Sequence, residues 1–217
     1  MLQEQIRNLK DRLVGYARLV EGMMESSTLA LVSRDPAPLD EVTGAREHRA
    51  NTLEVELDAA ATAAIAQFQP KARDLRTLLM VLGITNDLER LGDHAVNIAE
   101  AAGWLLANAP FPTPPSVPVM AAAAVRMVDD AISAFIAGDA ARARNVCEAD
   151  QAVDDLADEI LREAVAAMAG DPSAIEAGLR VLKIAGNLER IADLATNIGE
   201  DVVYMVEGRV IKHRQEG

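Results

Sequence analysis

The feature that most constrains this chain is an internal repeat, in which two stretches of sequence match at a constant spacing of 100 residues. Residues 88–100 read LERLGDHAVNIAE, and residues 188–200 read LERIADLATNIGE. A match this dense between the halves of one chain indicates a duplication. The second half should therefore adopt the same fold as the first, and each half of the 217 residues is long enough to bury a core.

A proline-rich stretch separates the two copies. Five prolines lie between residues 110 and 118. A proline inside a helix removes a backbone hydrogen bond and clashes with the preceding turn. The sequence thus predicts a first repeat over residues 1–108, a linker over residues 109–116 and a second repeat over residues 117–217.

Composition and periodicity predict helices in both repeats. Hydrophobic residues make up 50% of the chain and aromatic residues only 3%, a balance that suits closely packed helices better than strands. In residues 81–105 and 184–205, apolar side chains recur at alternating spacings of three and four, as on the packing face of a bundle. The prediction is an all-α protein of two tandem three-helix bundles, with helices at residues 6–32, 40–68, 74–108, 119–137, 140–169 and 172–207.

The charge of the chain narrows the choice of partners. A formal net charge of −13 indicates an acidic surface, which disfavours nucleic acid because clustered Lys and Arg bind the phosphate backbone. A multivalent cation or a basic patch on a partner protein would instead be attracted. Neither a signal-peptide pattern nor a run of about 20 apolar residues is present, so the sequence predicts a soluble, cytoplasmic protein.

Acidic and amide side chains form a stripe on the third predicted helix of each repeat. They are spaced four, four and three residues apart, so they lie on one side of the helix, roughly opposite the apolar face. A solvated face is the alternative, but like charges at i and i+4 destabilise a helix by roughly 0.2–0.5 kcal/mol per pair. The members are Glu89, Asp93, Asn97 and Glu100 in the first repeat and Glu189, Asp193, Asn197 and Glu200 in the second.

The second predicted helix of each repeat supplies partners for this stripe. Asp150 and Asp154 are four residues apart in the second repeat, and Glu47 and Asn51 take the corresponding places in the first, with Glu54 one turn further on. If adjacent helices bring the stripes together, each repeat presents three or four carboxylates on one surface. Carboxylate oxygens are hard ligands, so the pattern predicts a site for divalent or trivalent cations, with magnesium and manganese among the candidates.

The patterns expected of an enzyme are absent from the sequence. It contains no Glu-x-x-His pair of a ferritin-like di-iron site, no nucleophile beside a base and no Gly-rich phosphate loop. His48 and His94 are matched by Gln151 and Leu194 in the other repeat, so both are interpreted as surface histidines outside any duplicated site. We predict a protein that is not an enzyme.

These residues resemble the PhoU family of phosphate-specific transport accessory proteins. The likeness is carried by QPKARDLR at residues 69–76, by residues 88–100 and by residues 187–204, which read NLERIADLATNIGEDVVY. It covers nearly the whole chain and includes the order of three plus three helices. The resemblance implies a cytoplasmic protein that reaches the membrane only through its partners, with a homodimer as an expected assembly.

The same resemblance implies particular partners. They would be the ATPase subunit of a phosphate ABC transporter and a sensor histidine kinase, and the protein would restrain both when phosphate is plentiful. Two other functions are compatible with these residues: a metal-buffering helical protein without a signalling partner, and a PhoU-like regulator of a sodium–phosphate cotransporter. The proteins captured from native membranes would separate the three.

The resemblance also implies metal ligands. Family members carry a Glu/Asp-x-x-x-Asp motif on two helices of each bundle, and in some members these motifs hold iron or zinc. The first-repeat site is expected to be the weaker one, because an amide replaces one of its carboxylates. The matching pairs are Glu89 and Asp93, Glu189 and Asp193, and Asp150 and Asp154, while Glu47 is followed by Asn51 where the motif has Asp.

Overall fold

A computed structural model describes residues 1–108 and 113–208, and all regular structure within these ranges is helical. The predicted all-α class is confirmed. Within the described ranges, none of the helices is both long and apolar enough to cross a bilayer. The helices are α1 (Leu2–Ser33), α2 (Ala37–Glu41), α3 (Glu47–Phe68), α4 (Ala72–Asn108), α5 (Ser116–Ala137), α6 (Ala140–Gly170) and α7 (Ile175–Glu207).

Two parts of the predicted domain division lie outside the described residues. They are positions 109–112 of the linker and positions 209–217 at the end of the second repeat. Helix α5 begins at Ser116, inside the predicted linker, and Pro118 lies within its first turn. A proline is tolerated there because the first turn of a helix has no intrahelical partner for its N–H groups.

Helix ends follow local signals in the sequence. Gly138 ends α5 with φ of 66°, a left-handed conformation that glycine adopts without a steric penalty. The next helix begins at once, because Asp139 accepts hydrogen bonds from the backbone N–H groups of Ala141 and Arg142 at 3.0 Å. Asp171 caps a 3₁₀ turn in the same way before α7 begins. These signals keep the connections between α5, α6 and α7 short.

The second predicted helix of the first repeat differs from expectation at its start. It begins earlier, as α2, and passes through a π-helical turn at Val42–Arg46 before continuing as α3. A π-helical turn holds more residues than an α-helical one and therefore rotates the face that follows.

The apolar faces predicted on the third helices are buried throughout. All predicted members of the α4 face from Val81 to Leu105 are buried, as are those of the α7 face from Ile184 to Met205. Within the first repeat, α1 and α3 run antiparallel, because Arg12 contacts Glu56 near one end and Arg46 contacts the Gly22 carbonyl near the other. Each repeat is thus an up-down-up three-helix bundle.

The two bundles are packed against each other as one body. Helix α4 lies along α7 and α1 lies along α5, so these four helices form the middle, while α3 and α6 each pack on their own repeat. The buried apolar residues of both repeats form one continuous core. The apolar faces of α4 and α7 therefore pack within their own repeats and also form the interface between the repeats.

His94 lies at this join, so its interpretation as a surface histidine is wrong. Its Nδ1 is 2.8 Å from Oδ1 of Asn187, and the side chain is half-buried between α4 and α7. Nearby, Nζ of Lys183 lies 3.8 Å from Oε2 of Glu100 across the same join. Polar pairs of this kind occur where the rims of the two repeats meet, a surface that no single-helix pattern reveals. His48 is exposed, as expected.

The packing of α6 on α7 is closest at Gly199. A Cβ atom at this position would lie 2.9 Å from the backbone oxygen of Ala143, which cannot move without moving α6. We expect Gly199→Ala to lower the free energy of unfolding by about 1–3 kcal/mol, the usual cost of overpacking. Gly186 is the matched control on the same helix, because a Cβ there would meet no atom of the described chain within 4 Å. Gly186→Ala should stabilise by about 0.5–1 kcal/mol.

Urea unfolding of the two variants measures both changes. Equal stability of Gly199→Ala and Gly186→Ala would contradict the close approach of the two helices.

Candidate functional site

The second repeat brings its four predicted carboxylates together on the surface between α6 and α7. Burial raises the pKa of Asp150 to about 6, with further increases from the charges of Asp154, Asp193 and Glu189. Burial and the charge of Asp193 likewise raise the pKa of Asp154. Each carboxylate therefore lies within electrostatic reach of the others.

Asp150 is the innermost member of this group. Its Oδ1 atom is buried and has no hydrogen-bonding partner of ordinary geometry in the described chain, and the same holds for the hydroxyl oxygen of Thr196. The Thr196 side chain is still close enough to lower the pKa of Asp150 and so offset part of the increase. A buried carboxylate oxygen without a donor is costly. A bound cation would satisfy it.

The first repeat has a corresponding group. Burial raises the pKa of Glu89, and the charges of Asp93 and Glu54 raise it further. Glu54, which follows the predicted α3 pair, therefore lies within electrostatic reach of Glu89. Glu47 is half-buried and Asn51 is exposed. The pairing of Glu47 and Asn51 with Asp150 and Asp154 stays a prediction.

The burial pattern of α3 and α6 is compatible with the predicted pairing. Glu47 lies three residues before buried Ala50, and Asp150 lies three residues before buried Val153. The next buried residues keep the same spacing in both helices, at Leu57 and Ala61 in α3 and at Ile160 and Ala164 in α6.

The remaining residues of the predicted stripes do not join these groups directly. The Asn97 amide donates to the backbone oxygen of Asp93 at 3.0 Å. Glu100 instead faces Lys183 on the other repeat. Burial raises the pKa of the Cys147 thiol to about 11, and the nearby charge of Glu200 adds to the increase. Asn197 is half-buried.

The oxygen atoms of the carboxylate groups are suitable ligands for a hard cation, although the side chains are not arranged to coordinate one. Among the described residues, no three His, Cys, Asp or Glu side chains have the arrangement of a metal site. Like charges that raise one another's pKa also push one another apart, so separation is expected without a cation. The donorless oxygen of Asp150 is the observation that fits a metal most directly.

Two side chains near the carboxylate groups could not be predicted from sequence patterns. Thr196 lies beside Asp150 because α7 runs antiparallel to α6, and a single threonine in a helix predicts nothing of the kind. Tyr16 of α1 is fully buried, and Glu54, Glu89 and Asp93 all act on its pKa. Asp158 could have been predicted from the sequence as a neighbour of this group, because it follows Asp154 by four residues. Its charge adds to the raised pKa of Glu189.

Stability without metal should fall as the pH rises. Burial raises the pKa of Glu21 to about 7, with Asp129 and Glu25 adding to the increase and Arg18 opposing it, and the pKa of Asp150 is about 6. The unfolded chain releases these protons near pH 4, so between about pH 4 and 7 the folded state binds more protons. We expect the melting temperature in chelator to be a few degrees higher at pH 5.5 than at pH 8.

Matched variants test the source of this dependence. Glu21→Gln removes one carboxyl group with a raised pKa, so the melting temperature should change less between pH 5.5 and 8. Glu159→Gln, on the exposed side of α6, should leave the pH dependence unchanged. A melting temperature that rises with pH over this range would contradict the assignment.

Comparison with known proteins places both repeats in one family. The family model described as the PhoU domain matches residues 13–102 and 117–202. A relative from Aquifex aeolicus, named phosphate-specific transport system accessory protein PhoU homolog, is 32% identical over 98% of this chain and 96% of its own length. The chain also superposes on the crystal structure of PhoU from Pseudomonas aeruginosa with a TM-score of 0.90 at 31% identity, covering 96% of this chain and 100% of the other.

A second solved structure agrees with the first. The phosphate transport system regulatory protein PhoU from Streptococcus pneumoniae matches with a TM-score of 0.89 at 26% identity, covering 97% of this chain and 99% of that one. The relatives are named as accessory or regulatory proteins.

Proposed function

The chain belongs to the PhoU family, and from this premise we propose that it is a regulatory accessory protein of phosphate uptake. The observation that carries the proposal is the match of both repeats, over nearly the full length, to relatives named for phosphate-specific transport. The acidic surface supports a protein or cation partner over a nucleic acid.

In the finer form of this proposal, the protein couples a phosphate ABC transporter to a sensor histidine kinase. It binds the ATPase subunit and the kinase at the cytoplasmic side of the membrane and restrains both when phosphate is plentiful. The net charge of −13 favours basic patches on these partners, so binding should weaken at high ionic strength.

The proposed function includes metal binding at the two carboxylate groups. Asp150, Asp154, Glu189 and Asp193 would hold a divalent or trivalent ion in the second repeat, with the donorless oxygen of Asp150 as the supporting observation. Glu47, Asn51, Glu89 and Asp93 would do so in the first repeat, and Glu54 lies within electrostatic reach of Glu89. Iron and zinc are the proposed ions, with magnesium and manganese as weaker alternatives. When bound, the ion supplies positive charge that removes the repulsion among carboxylates.

Capture from native membranes tests the partners. The tagged protein, incubated with solubilised membranes at moderate salt, should retain a transporter ATPase and a sensor kinase. Deleting its gene should switch on phosphate-starvation reporters in phosphate-rich medium. Capture of a sodium–phosphate cotransporter without the ATPase would favour that system instead. Metal binding with no membrane partner and no change in the reporters would favour a metal buffer, and tight binding of duplex DNA at physiological salt would refute all three.

A further inference from the structure

A cavity between the two repeats is lined by the two arginines of the QPKARDLR segment, residues 69–76. Arg73 and Arg76 lie near the start of α4 and border a cavity of about 200 Å³, whose other wall is formed by Met205 and Val206 at the end of α7. The site is separate from the first-repeat carboxylates, because Glu89 lies 13 residues further along α4, about 20 Å away along the helix axis.

The two guanidinium groups have no anionic partner. Within the described part of the chain, no carboxylate oxygen lies within 4.0 Å of the guanidinium nitrogens of Arg73 or Arg76. The Nε atom of Arg76 is buried and has no acceptor. Asp74, between them in sequence, instead accepts hydrogen bonds from the Gln3 amide at 3.1 Å. A buried charged donor without an acceptor is costly, so an acceptor brought by a ligand would stabilise it.

The helical fold does not require arginine at these positions. The constant spacing of 100 residues aligns Arg73 with Ser173 and Arg76 with Glu176 in the second repeat. Arg73 lies in the first turn of α4, where the helix dipole disfavours a positive charge, whereas Glu176 lies in the first turn of α7, where the dipole favours its negative charge. The first repeat therefore carries an unfavourable charge that a bound anion would offset.

Lys10 on α1 adds a third positive charge near Arg73. Its ammonium group donates to the backbone oxygen of Ile136 at 3.2 Å and lies 4.9 Å from the centroid of the Phe135 ring. Burial lowers the pKa of Lys10 and the charge of Arg73 lowers it further, so the two cations are within electrostatic reach of each other. In a chain with a net charge of −13 this is a local positive patch, which attracts an anion.

We propose that this cavity binds a phosphate-class oxyanion through the side chains of Arg73 and Arg76. The planar guanidinium group presents paired N–H donors that match the oxygen atoms of such an ion. The cavity is several times larger than the roughly 30 Å³ that one water occupies in the liquid, so an ion with four oxygen atoms fits. The apolar side chains of Met205 and Val206 cover one side of the site, and hydrogen bonds are stronger where water is excluded.

The proposed site makes no use of the carboxylate groups, so it is independent of metal binding. The arginines belong to the first repeat and the opposite wall to the second. A bound ion would therefore fill the gap between the start of α4 and the end of α7 and stabilise the folded state by mass action.

Isothermal titration of the metal-free protein with inorganic phosphate, in chelator at low ionic strength, tests the proposal. Wild-type protein should bind the ion saturably, and Arg76→Gln should weaken binding by about tenfold or more, as expected from the loss of a charge-assisted hydrogen bond. Arg73→Gln should also weaken it, and its exposed side chain makes this variant safe for folding. The matched control Arg162→Gln removes the same charge from an exposed position on α6 and should change the affinity less than about twofold.

Thermal unfolding provides a second measurement. Phosphate should raise the melting temperature of the wild type more than that of Arg76→Gln at equal ionic strength, because the general stabilising effect of phosphate on proteins is the same in both. Absence of saturable binding by the wild type would overturn the proposal, and so would equal affinity of the wild type, Arg73→Gln and Arg76→Gln. Neither result would affect the regulatory role, which capture from membranes tests separately.

Titration with adenosine monophosphate distinguishes two sources of the phosphate group. Tighter binding than that of inorganic phosphate, lost in Arg76→Gln, would identify a phosphorylated small molecule as the occupant. Weaker binding would identify the free ion.

Discussion

Addition of ferric iron or zinc is expected to raise the melting temperature of the protein substantially. The proposed ion would bind carboxylates that are brought together only in the folded bundle, so it would stabilise the folded state by mass action, by about 2.7 kcal/mol at 100 times its Kd. At roughly 2–4 °C for each kcal/mol in a chain of this size, the shift should be about 5–10 °C. Differential scanning calorimetry with and without metal, followed by a chelator to reverse the shift, measures it.

Matched variants in the two repeats locate the effect. Asp193→Asn should remove most of the shift with zinc and Asp93→Asn less of it, because the second-repeat group has four carboxylates and the first has three. Glu47→Gln should weaken the first site, and Glu54→Gln tests whether the carboxylate further along α3 also contributes. Should the wild type bind no divalent or trivalent metal more tightly than about millimolar, the acidic groups are solvated faces.

Truncation of the buried leucine at the same position of either repeat is expected to destabilise the whole protein. Leu88 and Leu188 are both 0% exposed, on α4 and α7. Each substitution by alanine should cost about 2.7–5.0 kcal/mol, the range measured for buried leucines elsewhere. Because the buried residues of both repeats form one core, either variant should lower a single unfolding transition by roughly 10 °C.

The control lies on the same helix as Leu88. Leu79 is 52% exposed, so Leu79→Ala should change the free energy of unfolding by no more than about 0.5 kcal/mol. Calorimetry of the three variants distinguishes one cooperative unit from two. Two transitions, of which each core variant shifts only one, would show that the repeats fold independently.

Local patterns in the sequence predicted the helices and the apolar faces correctly. The spacing from Val81 to Leu105 repeats with a period that only a helix satisfies with one face buried, and its members are buried. Gly138 and Asp171 marked helix ends because left-handed backbone and N-cap hydrogen bonds depend on residues within one turn. Four-residue spacing also places Asp150 and Asp154 on one side of α6, and the charge of Asp154 acts on Asp150.

Other features depend on how one helix is placed against another, and only the tertiary structure decided them. Glu54 lies within electrostatic reach of Glu89 because α3 packs against α4. His94 is half-buried because α7 supplies Asn187, a residue 93 positions away. The charges of Glu54, Glu89 and Asp93 all act on Tyr16, which is buried on a third helix, α1. Periodicity describes the surface of one helix, whereas a site between helices depends on their relative rotation and height, which side-chain packing determines.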